Sequence, residues 1–325
     1  MSGVKRPTEK HLMLFTGRAS PELAAEVAEL MGVELVPSRL ISYANSEIYV
    51  RYEESVRGSD AFVIQSHAAP VNEALMEQLI MVDALKRASA KRITVVAPFY
   101  PYARQDKKHL GREPISARLV ADLFRTAGAD RIMSVDLHAS QIQGFFDGPL
   151  DHLSGLPVLS DYVKKNYDTS NLTVVSPDAG RVRLADVWSD TLNAPLAIIH
   201  KRHDPRQANQ VKAHEVVGDV RGRTCLLVDD MIDTAGTICQ AAEALVQRGA
   251  SCVIAACTHA VLSGPAAQRL NDSHFEEIIV TNTLPIRTEV PIDKLTTLSI
   301  APLLARAIHE VFEDGSVTSL FPASL

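Results

Sequence analysis

Residues 224–237 read Thr224-Cys-Leu-Leu-Val-Asp-Asp-Met-Ile-Asp-Thr-Ala-Gly-Thr237, and the order of residue types in this stretch decides the fold. An uncharged apolar run ends in two acids, Asp229 and Asp230. A small polar loop of Asp233, Thr234, Ala235, Gly236 and Thr237 then opens a helical pattern that continues to Gln247 and meets a stop at Gly249. A continuous apolar strand feeding a helix through a short loop is one unit of a parallel sheet covered on both faces. The loop is also chemically pointed. Backbone N–H groups at a helix amino end, aided by the helix dipole, favour a phosphate monoester, and Gly236 lets that backbone come close. Adjacent carboxylates at a strand's carboxyl end repel unless sugar hydroxyls or a divalent cation share the charge. Asp229 and Asp230 therefore read as ribose binders.

The same rhythm extends outward in both directions. Strand patterns are expected at 11–16, 61–65, 92–98, 131–135, 172–175, 196–199, 252–256 and 277–280, with helical patterns at 72–90 and 115–126. The fold class is α/β. A boundary is expected at 147–157, where Gly148, Pro149, Gly155 and Pro157 interrupt the periodicity and leave two stretches of similar length. Each has a strand ending in a charged loop, at 98–112 and at 229–237, which makes a duplicated unit plausible.

Composition removes several classes of function. The chain has 325 residues, long enough for two domains. With 33 basic against 39 acidic residues it carries a net charge of −6, so it lacks the basic face of a general nucleic-acid binder. No appended recognition helix suggests a DNA-binding regulator. The amino terminus, MSGVKRPTEK, has no apolar stretch, no long apolar run occurs elsewhere, and the expected location is the cytoplasm, with no membrane partner. Cys225, Cys239, Cys252 and Cys257 fit no zinc-binding spacing and read as buried free thiols.

The 224–237 string resembles the phosphoribosyl-diphosphate motif of type I phosphoribosyltransferases and of ribose-phosphate diphosphokinases. Other segments separate the two. Phe99-Tyr-Pro-Tyr-Ala-Arg-Gln-Asp-Lys-Lys108, Arg112-Glu-Pro-Ile-Ser116 and Val135-Asp-Leu-His-Ala-Ser-Gln-Ile-Gln-Gly-Phe-Phe-Asp147 resemble the diphosphokinase loop and signature, which simple phosphoribosyltransferases lack. Glu54-Ser-Val-Arg-Gly58, Ser176-Pro-Asp-Ala-Gly180 and Thr281-Asn-Thr-Leu-Pro285 extend the resemblance along the chain, to the phosphate-activated bacterial class of the family. It implies two similar phosphoribosyltransferase-like domains, 11–155 joined by the segment 313–325, and 156–312 carrying the ribose 5-phosphate loop. The implied reaction moves the β,γ-diphosphoryl group of ATP to the C1 hydroxyl of ribose 5-phosphate, giving 5-phosphoribosyl 1-diphosphate and AMP for nucleotide, histidine and tryptophan biosynthesis.

The resemblance also implies roles. Tyr43, Asn45, Ser46 and Glu47 match the adenine-binding stretch, with Tyr43 where the family commonly has Phe. Arg104 and Gln105 hold ATP, in a loop whose basic side chains suit a triphosphate. His138 and Asp178 belong to the Mg²⁺ site, the Asp being the surer oxygen ligand. Ala179, Gly180 and Arg181 form the loop that receives the diphosphate, with Arg181 where a second glycine is common. In Ile199-His-Lys-Arg-His-Asp-Pro-Arg206, Lys201 is the main catalytic cation, and Arg202 or His203 replaces an Arg that usually follows it by two positions. Ser55, Arg57, Arg112, Ser316 and Thr318, the last in place of Ser, match an anion site that responds to inorganic phosphate and ADP. Such a shared site implies a homo-oligomer, the family's usual assembly being a hexamer. Two rivals stand beside this reading: a phosphoribosyltransferase, opposed by the ATP-type segments, and a catalytically silent subunit, whose one supporting departure is His203.

Overall fold

The structure, a computed structural model, describes residues 10–203 and 211–320, with the side chains of 201–203, 211–214 and 319 outside that description. Two compact units divide the described chain, residues 10–153 with 301–320, and residues 154–300.

The first unit runs β1 (Leu12–Thr16), α1 (Pro21–Met31), β2 (Ser38–Ser42), β3 (Ile48–Tyr52), β4 (Asp60–Ile64), α2 (Val71–Arg87), β5 (Arg92–Val96), α3 (Ser116–Ala127), β6 (Arg131–Val135) and β7 (Leu150–Leu153). Its sheet has the order β1-β4-β5-β6-β7 and is parallel throughout. Alternation along the strands assigns the faces. Phe15, Val63, Val95 and Ile132 share a core with Leu79 and Val82 of α2 and Val120 and Phe124 of α3. β2 and β3 stand apart as an antiparallel hairpin.

The second unit runs α4 (Leu156–Asn166), β8 (Leu172–Ser176), α5 (Val182–Leu192), β9 (Leu196–His203), β10 (Val211–Val217), β11 (Thr224–Ile232), α6 (Gly236–Gln247), β12 (Cys252–Ala260), α7 (Ala266–Asn271), β13 (Glu277–Thr281) and β14 (Leu295–Leu298). The sheet order is β10-β9-β8-β11-β12-β13-β14, parallel except for the β9–β10 pair. Cys225 and Leu227 pack with Ile238, Ala241 and Leu245 of α6, while Leu226 and Val228 pack with Leu159 and Val163 of α4 and Trp188 of α5. Adjacent residues of β11 thus enter different cores, which is why that strand reads as an unbroken apolar run. The α/β reading holds for both units.

The sequence reading needs three corrections. The chain returns to the first unit earlier than residue 313, because α8 (Ala301–Phe312) already belongs there and packs on α1. The stretch 147–157 is not merely interrupted, since β7 occupies its middle and pairs with β6. Strands β2, β3, β10 and β14 were not anticipated. All four cysteines are free, Cys225 and Cys257 buried, Cys239 and Cys252 only partly so.

Candidate active site

β8 and β11 are parallel neighbours whose register runs from Thr224–Leu172 to Leu227–Val175. β8 then stops while β11 continues for five residues beside β12. Asp229 and Asp230 therefore lie past the last β8 pairing, on an edge that the loop after β8 can reach. Arg181 closes the 3-10 turn Ala179–Arg181 in that loop. Its Nε lies 3.0 Å from Asp229 Oδ1 and its Nη2 lies 2.8 Å from Asp230 Oδ1. An arginine shares their charge, a solution that neither residue spacing nor composition signalled.

Asp230 is buried and Asp229 nearly so. Burial first, then the hydrogen bond and negative charge of Asp230, push the Asp229 carboxyl well above its ordinary range, against the pull of Arg181 and of the Asp230 N–H. That N–H donates to Asp229 Oδ1 at 2.9 Å.

Asp178 begins the same turn. Its Oδ1 accepts from the Gly180 N–H at 2.8 Å, and Ser176 Oγ donates to its carbonyl at 2.7 Å. The carboxylate is half-buried at the carboxyl edge of the sheet, the position where α/β proteins bind ligands.

The anticipated phosphate loop is present at the amino end of α6. Ala235 takes a left-handed φ of 60° immediately before Gly236, the first helical residue. Thr234 and Thr237 are exposed, Asp233 and Gly236 half-buried, and Ala235 buried. The loop is braced from behind: Arg269 Nη1 donates to the Thr234 carbonyl at 2.8 Å, Ser263 N–H donates to the Asp233 carbonyl at 3.0 Å, and Ser263 Oγ donates to Asp233 Oδ1. Ser263 and Arg269 were missed by sequence reasoning. They lie in and after the loop that follows β12, and only the β11–β12 register makes them neighbours of residues 233 and 234.

Lys201, Arg202 and His203 end β9, where the backbone pairs with β10 and the register shifts between Val211 and Ala213. Their side chains lie outside the described residues. By strand order alone, the carboxyl ends of β9, β8 and β11 lie side by side and carry residues 201, 178–181 and 229–237.

In the first unit, Tyr43, Asn45, Ser46 and Glu47 form the tip of the β2–β3 hairpin, all exposed. Tyr43 N–H donates to the Glu47 carbonyl at 2.8 Å, Glu47 N–H donates to Asn45 Oδ1 at 3.2 Å, and Ser46 takes a φ of 72°. The Tyr43 and Tyr49 rings lie 6.2 Å apart at a tilt of 55°. Arg104 and Gln105 belong to the loop between β5 and α3, and Ser116 Oγ donates to Gln105 Oε1 at 2.6 Å. Arg104, Lys107, Lys108 and Arg112 are all exposed on this loop. His138, half-buried, follows β6 in a segment pinned by β7: Asp136 N–H donates to the Leu153 carbonyl at 2.8 Å and Leu137 N–H donates to His152 Nε2 at 2.8 Å. Gln141 Nε2 donates to the buried Asp106, so the basic loop and the His138 turn are brought together. Ser55, Arg57 and Arg112 are exposed, as are Ser316 and Thr318, whose hydroxyls lie 2.7 Å apart.

No group of three or more His, Cys, Asp or Glu side chains able to cage a metal occurs among the described residues. Mg²⁺ keeps much of its water and takes one or two carboxylates together with substrate phosphates. Asp178 is an oxygen donor of the right kind.

Comparison with known proteins identifies the family. A family model described as the N-terminal domain of ribose phosphate pyrophosphokinase matches residues 12–128, and one described as the phosphoribosyl synthetase-associated domain matches residues 202–322. The ribose-phosphate pyrophosphokinase of Streptomyces coelicolor is 67% identical over 99% of this chain and 99% of its own length. The chain belongs to the ribose-phosphate pyrophosphokinase family. The Mycobacterium tuberculosis enzyme of the same name is 63% identical over 96% of both chains. The crystal structure of the phosphoribosylpyrophosphate synthetase from Mycobacterium smegmatis superimposes with a TM-score of 0.89 at 59% identity, covering 94% of this chain and 100% of that one. Among the described residues, no helix is long and apolar enough to cross a membrane.

Proposed function

We propose that this chain is a ribose-phosphate diphosphokinase whose sugar-phosphate site is built on the carboxyl ends of β8 and β11 and the amino end of α6. The observation that carries the reading is the acid pair Asp229–Asp230 followed at once by the braced loop 233–237, in a chain with full-length relatives named ribose-phosphate pyrophosphokinase. The 5-phosphate docks on the loop from Asp233 to Thr237, where backbone N–H groups and the helix dipole favour an anion. The ribose hydroxyls donate to Asp229 and Asp230. The C1 oxygen attacks the β-phosphorus of ATP in line. A new C1–O–P bond forms as the bond from the β-phosphorus to the α,β-bridging oxygen breaks, AMP departs with that oxygen, and the C1 hydroxyl proton is lost to water.

Tyr43, Asn45, Ser46 and Glu47 hold the adenine, and Arg104 and Gln105 hold the phosphates. Lys201 neutralises charge that develops on the leaving group, seconded by Arg202 or His203. Preorganised cations of this kind supply most of the catalysis in phosphoryl transfer. Mg²⁺ supplies further charge neutralisation when bound. Asp178 would hold it directly, and His138 through a water or an ATP phosphate.

The family's anion site is assigned to Ser55, Arg57, Arg112, Ser316 and Thr318, with inorganic phosphate activating and ADP inhibiting a homohexamer. A rate that does not change with phosphate at fixed free Mg²⁺ would remove this assignment. The cytoplasm, where ATP and ribose 5-phosphate are available, is the proposed location.

The deciding experiment follows AMP and 5-phosphoribosyl 1-diphosphate together in a mixture of protein, ATP, ribose 5-phosphate, Mg²⁺ and phosphate. Equal release of both is expected. ADP in place of AMP would mean γ-phosphoryl transfer and overturn the mechanism. If His203 is the second cation, activity falls as pH rises through its titration, whereas Arg202 gives a flat profile from about pH 6 to 8.

A further inference from the structure

Asp229 and Asp230 are consecutive residues of a strand, so their side chains leave it toward opposite faces. A single guanidinium nevertheless meets both, through Nε and Nη2. Those two nitrogens form the side-on edge of the arginine fork, the edge that ordinarily takes both oxygens of one carboxylate. Here it is divided between one oxygen of each of two acids, and the contact to Asp230 Oδ1 is one of charge rather than of hydrogen-bond geometry. That arrangement requires the β8 register: β8 ends while β11 runs on, so the 3-10 turn after β8 delivers Arg181 to the end of β11. All three side chains are mostly buried, the Arg181 side chain at 21% exposure, Asp229 at 19% and Asp230 at 7%. The pairing is thus shielded from the screening that weakens surface ion pairs.

We propose that Arg181 is a positioning residue for ribose 5-phosphate: it is the resident counter-cation of the Asp229–Asp230 pair and fixes both carboxylates in the orientation that receives the sugar hydroxyls. The inference rests on the ribose reading of the two acids. A carboxylate offers about four lone-pair sites over its two oxygens, and Arg181 engages one oxygen of each acid, so each acid can still accept from a hydroxyl. Without a positive charge at this point, two neighbouring carboxylates repel and turn apart, and the sugar would have to bring them back together at its own expense in affinity. The upward push on the Asp229 carboxyl, which Arg181 opposes, agrees with this dependence. The guanidinium is engaged with the two acids rather than given to the diphosphate that the resemblance implied for its loop, so its effect belongs in KM for the sugar rather than in KM for ATP or in the chemical step.

The test is steady-state kinetics on the full chain, with KM for ribose 5-phosphate measured at saturating Mg-ATP for Arg181→Gln, Arg181→Lys, Asp230→Asn and the double variant Arg181→Gln/Asp230→Asn. Arg181→Gln is expected to raise that KM roughly tenfold, the scale of one charge-assisted contact, with KM for ATP held within about twofold. Arg181→Lys should recover part of the loss, because an ammonium restores the charge but cannot span both acids. The double variant should bind the sugar no worse than Asp230→Asn, since Arg181 acts through the pair. A wild-type KM for ribose 5-phosphate in Arg181→Gln, equal losses for both substrates, or additive losses in the double variant would each overturn the inference. Asp230→Asn with an unchanged KM would instead sink the ribose reading itself. Should Arg181→Gln fail to fold, Arg181→Lys decides: a raised KM for ribose 5-phosphate with KM for ATP unchanged supports the inference, and a wild-type KM for the sugar rejects it.

Discussion

Arg92 Nη1 lies 2.6 Å from Asp314 Oδ1, an ion pair that ties the first residue of β5 to the turn just beyond α8. The same guanidinium takes both oxygens of buried Asp60, at 2.8 and 2.5 Å, and Lys10 Nζ reaches Asp314 Oδ2 at 2.5 Å. Ser316 and Thr318 follow directly, so the cluster fixes where the segment assigned to the effector site leaves the helix.

Lys10 first, and then Arg92, hold the Asp314 carboxyl down to about 2. Its unfolded counterpart titrates near the ordinary carboxylate value of about 4, so this contribution is intact above that value and disappears as pH falls through about 2. Asp314→Asn should reproduce the loss at neutral pH. Hydrogen exchange at the Gly315 amide, which donates to the Glu310 carbonyl at 2.7 Å, is the readout. A faster rate by a few-fold is expected, the modest scale of a solvent-exposed pair. Unchanged exchange would mean that the turn is held by its backbone alone.

His67 is fully buried, and its Nδ1 lies 3.0 Å from the Phe99 carbonyl, which makes that nitrogen the donor of a neutral ring. Burial drives its pKa down to about 4, with the Phe99 carbonyl and Gln78 pulling the other way. An unfolded histidine takes up its proton near 6.5, while the folded one resists until about 4, so stability falls across that window as pH drops. The loss should be on the order of a few kcal/mol, at about 1.36 kcal/mol for each tenfold change in proton affinity. Urea unfolding of wild type and His67→Gln at several pH values between 7 and 4 would show it, the variant having the shallower slope.

How much of this was legible in the sequence depends on where each residue gets its meaning. The strand-acid-loop-helix order of 224–237 is local: burial on both faces writes Leu226, Leu227 and Val228 as an uninterrupted run, and a phosphate loop needs its small residues consecutively. β2 and β3 escaped notice because the hairpin is only half-buried and carries Arg39 and Arg51 opposite one another. β10 and β14 are edge strands, and edges have less apolar surface to announce them. Arg181 was visible as a departure from the usual glycine, but its partners were not. Its meeting with Asp229 and Asp230 depends on how far β11 outlasts β8, a property of two strands together. Ser263 and Arg269 were hidden for the same reason.

Asp229 illustrates the cost of such a site. Its folded carboxyl holds a proton more tightly than an unfolded one, so the folded state loses stability as pH climbs from about 4 upward through the raised folded value. Asp229→Asn removes that penalty. The variant should melt above wild type at pH 8, with the gap closing as pH falls below about 4, while its use of ribose 5-phosphate collapses. Thermal melts across that range, paired with the AMP assay, check both halves. A variant that melts below wild type at pH 8 would show that the Arg181 pairing outweighs the burial penalty.

Gly236 offers a separation of loop geometry from fold stability. A Cβ built there would come within 3.3 Å of Arg269 Nη1, the atom that donates to the Thr234 carbonyl. The backbone of Gly236 has no left-handed φ, so Gly236→Ala introduces no strain of its own, and alanine at the start of α6 is at least as good a helix former. What must give is the far end of Arg269, which is flexible and can move away. The loop then loses the brace behind residue 234 while the core beneath α6, Ile238 and Ala241 onward, is untouched. KM for ribose 5-phosphate should rise roughly threefold to tenfold, the range for one lost hydrogen bond acting through the loop. The melting temperature should hold or rise slightly. Arg269→Ala removes the same brace by a different route, so it should raise KM for the sugar to a similar extent. If instead Gly236→Ala impairs the sugar and Arg269→Ala does not, the methyl group is obstructing the phosphate directly, and the role of Gly236 is close approach of the backbone rather than support from Arg269.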